Sequence, residues 1–135
     1  GNTAKIAEEI REGILEAKPD AECVTYDIIE HDMGELHALV NRCNAFAVGS
    51  PTLNRDAVPP VWNLLAGIDA INSGKKPVLV FGSYGWTGEA VANIQARLMG
   101  LKMSVFEDGF KVNFVPTVED LEAARDMGRR FAQSF

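Results

Sequence analysis

The residues best suited to chemistry fall in one run, Pro77-Val78-Leu79-Val80-Phe81-Gly82-Ser83-Tyr84-Gly85-Trp86-Thr87-Gly88-Glu89-Ala90. Its first half is apolar and β-rich with no polar alternation, the pattern of a strand buried on both faces. A turn follows, with glycines at 82, 85 and 88, hydroxyls at Ser83 and Thr87, and rings at Tyr84 and Trp86. A helical apolar period then begins at Val91, Ile94 and Leu98. Strand, glycine-rich turn and helix form the unit that sets a loop at the carboxyl edge of a parallel sheet, where open α/β folds bind ligands. Two ring faces for stacking, and glycines that let backbone amides come close, suit a flat aromatic ligand. The competing reading makes both aromatics lids over the core.

Two other stretches offer polar groups to such a ligand. Ser50-Pro51-Thr52-Leu53-Asn54-Arg55-Asp56-Ala57-Val58-Pro59-Pro60 is the longest irregular segment, shaped by its prolines. It follows Asn44–Gly49, a second buried strand, so it too sits just past a strand's carboxyl end. At the chain start, Gly1-Asn2-Thr3 precedes a helix over Thr3–Ala17, with Ile6, Ile10 and Ile14 on one face and Lys5, Glu8, Glu9, Arg11 and Glu12 on the other. Amides at a helix start attract anions, so this end can hold a phosphate, although Asn and Thr are also ordinary caps. Ser50 and Ser83 have no evident histidine partner, which weighs against hydrolase chemistry.

The remaining elements must position these loops. Pro19-Asp20 ends the first helix, and Glu22–Ile28 reads as a strand through Cys23, Val24, Thr25 and Tyr26. Met33–Cys43 reads as a short helix with Leu36, Leu39 and Val40 inward. His31 and His37 lie beside or on it without the further close ligands a metal needs, and read as surface or packing residues. Val61, Leu64, Leu65 and Ile68 form the core face of a third helix, and Asn72-Ser73-Gly74 turns the chain into the strand at Pro77. Gly100 is a helix stop. Met103–Phe106 starts a last strand, Glu107-Asp108-Gly109 interrupts it, and Phe110–Phe114 resumes it. Thr117 and Asp120 predict a capping box for a final helix that buries Leu121, Ala124, Met127 and Phe131. The order is helix, then strand and helix four times over, an α/β doubly wound pattern with a parallel sheet. It is anomalous in that a helix stands first, with no strand before it.

Composition bounds the reading. The 135 residues, 47% of them apolar, suffice for one domain with a core. A net charge of −6 with interspersed signs argues against a nucleic-acid binder and fits a soluble protein that meets a basic partner. No apolar run approaches membrane-spanning length. Cys23 and Cys43 lie far apart and outside any CxxC pattern, which predicts free buried thiols in a reducing cytoplasm.

At Ser50-Pro51-Thr52 and Gly82–Ala90 the chain resembles a flavodoxin, and more narrowly the flavodoxin-like domain of flavodiiron proteins (A-type flavoproteins). Gly1-Asn2-Thr3 matches the tail of that family's phosphate loop, and Val115-Pro116-Thr117 also matches. The resemblance covers nearly the whole chain and implies a flavodoxin-like doubly wound parallel sheet of order 2-1-3-4-5. It implies FMN, with Gly1, Asn2 and Thr3 holding the 5′-phosphate. Ser50, Pro51, Thr52, Leu53 and Asn54 would line one side of the isoalloxazine, and Ser83, Tyr84, Gly85, Trp86, Thr87 and Gly88 the other side and the pyrimidine edge. It implies a small electron donor such as rubredoxin or a flavin reductase, and a homo-oligomer in the full-length form.

Two departures stand out. The family's first strand and most of its phosphate loop have no counterpart before Gly1. In the expected order that strand lies mid-sheet, and its loss would part its neighbours by about 10 Å, two strand spacings. This points to a C-terminal piece of a longer chain. The family also carries a diiron domain ahead of the flavodoxin-like one, and no such ligand cluster stands here. The first functional expectation is therefore an electron-transfer module feeding a diiron centre, on the same polypeptide or its dimer mate, that reduces oxygen or nitric oxide. A free-standing flavodoxin and a flavin-free interaction domain are the alternatives.

Overall fold

The computed structural model describes residues 1–135. Its elements follow in the order α1 (Asn2–Ala17), α2 (Met33–Arg42), β1 (Phe46–Pro51), α3 (Pro59–Ala66), β2 (Pro77–Tyr84), α4 (Glu89–Gly100), β3 (Ser104–Val105), β4 (Phe110–Asn113) and α5 (Val118–Gln133). Every strand pair is parallel. The central strand is β2. Along one edge it pairs with β1 from Phe46↔Val78 to Pro51↔Ser83. Its other edge is shared, β3 taking Pro77 and Val78, and β4 taking Phe81 to Tyr84.

The unbroken apolar run of β2 follows from this position. Leu79 and Phe81 point into a cluster with Ile6 and Ile10 of α1 and Ala124, Met127 and Phe131 of α5. Val78 and Val80 point the opposite way, to Val61, Leu64 and Leu65 of α3 and Val91, Ile94 and Leu98 of α4. Leu36 and Val40 of α2 complete that second layer. Helices on both faces of a parallel sheet make the expected doubly wound architecture. In the order 2-1-3-4-5, β1, β2 and the β3–β4 pair occupy the third, fourth and fifth places. No helix is long and apolar enough to cross a membrane.

Several local expectations are corrected. Residues 22–28 form no strand. A strand needs a partner, and in the expected order the only neighbour of this one is the first strand, which has no counterpart here. No backbone group of residues 22–26 bonds to another strand; the segment is held instead by Arg11, whose Nε donates to the Cys23 carbonyl at 2.9 Å. Strand β1 runs on through Ser50 and Pro51, which pair with Gly82 and Ser83 before the loop begins. Gly100 is the last helical residue of α4 rather than its stop; the left-handed turn falls at Lys102, φ 63°. Both cysteines are free and half-buried rather than buried, and burial pushes both thiols up.

The last strand divides where Glu107-Asp108-Gly109 was expected to interrupt it, with Gly109 at φ +77°. The capping box on α5 is complete, the Thr117 hydroxyl accepting from the Asp120 amide at 3.1 Å and the Asp120 carboxylate from the Thr117 amide at 2.9 Å. His37 donates through Nε2 to the Asn63 carbonyl at 2.9 Å, and its ring lies against Gly67. His31 stands 2.9 Å from the Asp27 carbonyl and edge-on to Tyr26.

Helices α1 and α5 approach very closely, through two glycines. A Cβ at Gly13 would stand 1.9 Å from the Arg125 carbonyl oxygen, and one at Gly128 would stand 2.1 Å from that of Ile10. Glu9 and Glu16 of α1 pair with Arg125 of α5 across the seam, at 2.9 and 3.3 Å. These exposed ion pairs contribute little, so the backbone approach dominates. Gly13→Ala or Gly128→Ala forces the helices apart and is expected to cost about 1–3 kcal/mol as an overpacking defect. Urea melts of each variant check this; wild-type midpoints would show that the helices can separate freely.

Candidate functional site

Three loops meet at the carboxyl end of β2, and two residues of β2 hold all of them. The Ser83 carbonyl accepts from the Thr52 amide at 2.9 Å, and the Tyr84 carbonyl from the Phe114 amide at 2.7 Å. The Ser83 hydroxyl lies 2.9 Å from that of Thr3 on the first turn of α1. The Asn2 side-chain amide donates to the Phe114 carbonyl at 3.3 Å, closing the circuit. Between these contacts lies a cavity of about 200 Å³ lined by Asn2, Pro51, Thr52, Leu53, Ser83, Tyr84, Gly85 and Phe114. No charged side chain lines it.

Each wall has a local cause. Leu53 and Asp56 exchange backbone bonds at 2.9 and 3.0 Å around Asn54 and Arg55. Both central residues are left-handed, φ 54° and 62°, as a type I′ turn requires. Asn54 tolerates that conformation, whereas Arg55 holds it at a cost of order 1 kcal/mol or more. The turn is tied down from outside: Asp56 Oδ1 accepts from the Ala57 amide at 2.8 Å and from Asn93 Nδ2 at 3.0 Å, and Oδ2 from Trp62 Nε1 at 3.2 Å. Those donors, Asn93 foremost, hold the Asp56 carboxyl below its usual range. Helix α4 begins at a glycine N-cap, Gly88, which offers no side-chain oxygen. The Thr52 hydroxyl supplies one, accepting from the Ala90 amide at 3.2 Å.

At α1 the first intrahelical bond runs from the Lys5 amide to the Gly1 carbonyl, so the amides of Asn2, Thr3 and Ala4 precede it. No acidic residue occupies this first turn. Free amides at the positive end of a helix favour an anion. Across the site, Thr87 is the main cause holding the Glu89 carboxyl below its ordinary range, with Arg55 and Lys111 adding smaller attractions.

Of the residues singled out in sequence, Asn2, Pro51, Thr52, Leu53, Ser83, Tyr84 and Gly85 come together around the cavity, and Thr3 adjoins it through Ser83. Gly1, Ser50, Asn54, Trp86, Thr87 and Gly88 do not line it. Gly1 is the N-cap of α1. Ser50 is fully buried, its hydroxyl donating to the Pro51 carbonyl at 2.7 Å and accepting from the Val58 amide at 3.1 Å. Asn54 sits at the turn tip, and Gly88 lies against Tyr84 and Lys111. Trp86 stands almost free of the protein, 93% exposed. Phe114 is the lining residue that sequence reasoning missed. Its φ of 58° turns the chain after β4 and leaves its ring 64% exposed at the rim.

Comparison with known proteins agrees with the fold. The flavodoxin family model matches residues 1–128. The flavo-diiron protein FprA2 of Clostridium acetobutylicum is 46% identical over 134 residues, 99% of this chain but 34% of that protein. The anaerobic nitric oxide reductase flavorubredoxin of Aeromonas hydrophila is 35% identical over 136 residues, covering 99% of this chain and 27% of its own length. The crystal structure of the flavodiiron protein from Giardia intestinalis superposes with a TM-score of 0.90 at 29% identity, over 98% of this chain and 33% of that one. The chain thus spans about a quarter to a third of the length of these relatives. With its doubly wound sheet and its loops gathered at the end of β2, the chain belongs to the flavodoxin family.

Proposed function

We propose that this domain holds FMN between the Leu53–Asp56 turn and the Tyr84–Gly88 turn, and relays electrons from a small redox donor to a diiron centre. The donor would be a rubredoxin or a flavin reductase. The diiron centre, reducing oxygen or nitric oxide, would lie in another domain of the same polypeptide or of its dimer mate in a homo-oligomer. The observation that carries this reading is the convergence of an anion-ready helix start and an uncharged, aromatic-rimmed slot on two adjacent residues, Ser83 and Tyr84. The names of the flavo-diiron and flavorubredoxin relatives support the acceptor and the donor. Free thiols at Cys23 and Cys43 suit a reducing cytoplasm.

FMN is the cofactor of this family, and the residues present fit it. At the phosphate end stand the amides that open α1, the Thr3 hydroxyl and the Asn2 side chain, with Gly1 as cap. For the ring, Pro51, Thr52 and Leu53 supply one wall, with Asn54 at the tip of the turn beside it and Ser50 bracing it from within. Ser83, Tyr84 and Gly85 supply the other, and Trp86, Thr87 and Gly88, which do not line the slot, would close on the ring from the turn above it. Leu53, Trp86 and Phe114 are 61%, 93% and 64% exposed, apolar surface that a planar ring would cover. When bound, FMN supplies one- and two-electron transfer, and the chain supplies binding, orientation and exclusion of water. The glycines let backbone amides approach the ring edge, and the uncharged lining adds no fixed charge of its own.

Two outcomes are expected. Acid release of the cofactor from full-length protein, followed by chromatography, yields FMN and no FAD. No glycine fingerprint GxGxxG with a distant acid is present to hold an adenosine half; recovery of FAD would refute the assignment. Tyr84→Ala or Trp86→Ala in the full-length protein weakens FMN binding by up to about tenfold, the scale of aromatic pairing at about 0.5–1.5 kcal/mol. Fluorescence titration measures it, and unchanged affinity and potential in both variants would show that neither ring touches the flavin.

A further inference from the structure

The Leu53–Asp56 turn is held by residues that do not touch the cavity. Of its central residues, Asn54 adopts a left-handed backbone readily, but Arg55 does not and must be fixed there. The fixing group is Asp56, which receives the Ala57 amide, the Trp62 indole and the Asn93 amide, as described above. Asn93 bonds twice, its Nδ2 also donating to the Arg55 carbonyl at 3.3 Å. Asn93 lies one turn beyond Ala90, whose own amide is bound by Thr52. The first two turns of α4, which also carry the Tyr84–Gly88 turn, are therefore bonded to the opposite wall at Thr52, Arg55 and Asp56. The spacing between the two walls is set by these bonds.

We infer that Asp56 and Asn93 are positioning residues that fix the width of the ring slot and so set FMN affinity and potential. This rests on reading the cavity as the FMN site. Neither residue lines the slot; each acts through the turn that carries Leu53. A ring held between two walls of fixed separation loses no binding energy in ordering the walls. Without the Asn93 amide, the strained turn relaxes and the wall at Leu53 becomes free to move.

The test uses full-length holoprotein carrying Asn93→Ala, Asp56→Ala or, as a control on the same helix, Gln95→Ala. Gln95 bonds the Glu107 carbonyl, away from the turn. Alanine is a better helix former than asparagine, so Asn93→Ala keeps its helix and serves even where Asp56→Ala fails to fold. FMN is titrated by fluorescence, the midpoint potential is measured, and apoprotein melting is followed. Asn93→Ala is expected to raise the FMN dissociation constant about tenfold, the effect of losing a hydrogen bond to a charged group, and to move the potential. The apoprotein melting temperature falls by a few degrees as these bonds are lost, and Gln95→Ala leaves affinity and potential unchanged. Wild-type affinity and potential in Asn93→Ala overturn the inference, as does a lowered melting temperature without either change. Failure of the wild-type holoprotein itself to bind FMN would instead overturn the proposed function.

Discussion

Everything at the functional end depends on the placement of one strand. Because β2 is paired on both edges and covered on both faces, its last two residues are fixed in three dimensions. From those two residues hang all three loops: Thr52 through the Ser83 carbonyl, Thr3 through the Ser83 hydroxyl, and Phe114 through the Tyr84 carbonyl. Each such bond contributes only about 1 kcal/mol to stability. Their larger effect is geometric, since they transfer the rigidity of a core strand to segments that are otherwise irregular. A loop site on a rigid scaffold is the common solution when a ligand must be held but the chemistry belongs to the ligand.

The two faces of β2 also explain the division of labour among helices. Leu79 and Phe81 seat α1 and α5, and α1 brings the amides of its first turn to Ser83. Val78 and Val80 seat α3 and α4, and α4 brings Asn93 and Ala90 to the turn that carries Leu53. One apolar alternation thus delivers a helix start with free amides from one layer and a braced wall from the other. The near-contact of Gly13 and Gly128 with facing carbonyls keeps the first layer thin, so α1 begins within reach of Ser83.

Much of this was legible before any coordinates. The β2 run declares itself because a strand covered on both faces needs no polar alternation, and the Thr117–Asp120 box because its chemistry is local. The glycine-rich turn and Ser-Pro-Thr segment marked two walls of the slot. What could not be read depends on partners distant in sequence. Phe114 enters the site through a backbone turn, its amide donating to the Tyr84 carbonyl and its carbonyl accepting from the Asn2 side chain, which no residue type signals. Asn93 reads as an unremarkable polar position on a helix until the fold brings it to Asp56. Residues 22–28 have the composition of a strand, but composition supplies no neighbour to pair with. Ser50 looked like a ligand-facing hydroxyl and is consumed within its own loop.

On the function proposed above, FMN binds in the space between Leu53 and Tyr84, opening onto the start of α1. Amide NMR of the isotope-labelled protein, recorded with and without FMN, tests this most directly. The account predicts the largest shift changes at Asn2, Thr3, Thr52, Leu53, Tyr84, Gly85 and Phe114, with the opposite edge of the sheet around Lys75 and Lys102 unmoved. Changes centred on that opposite edge, or spread evenly over the surface, would contradict it.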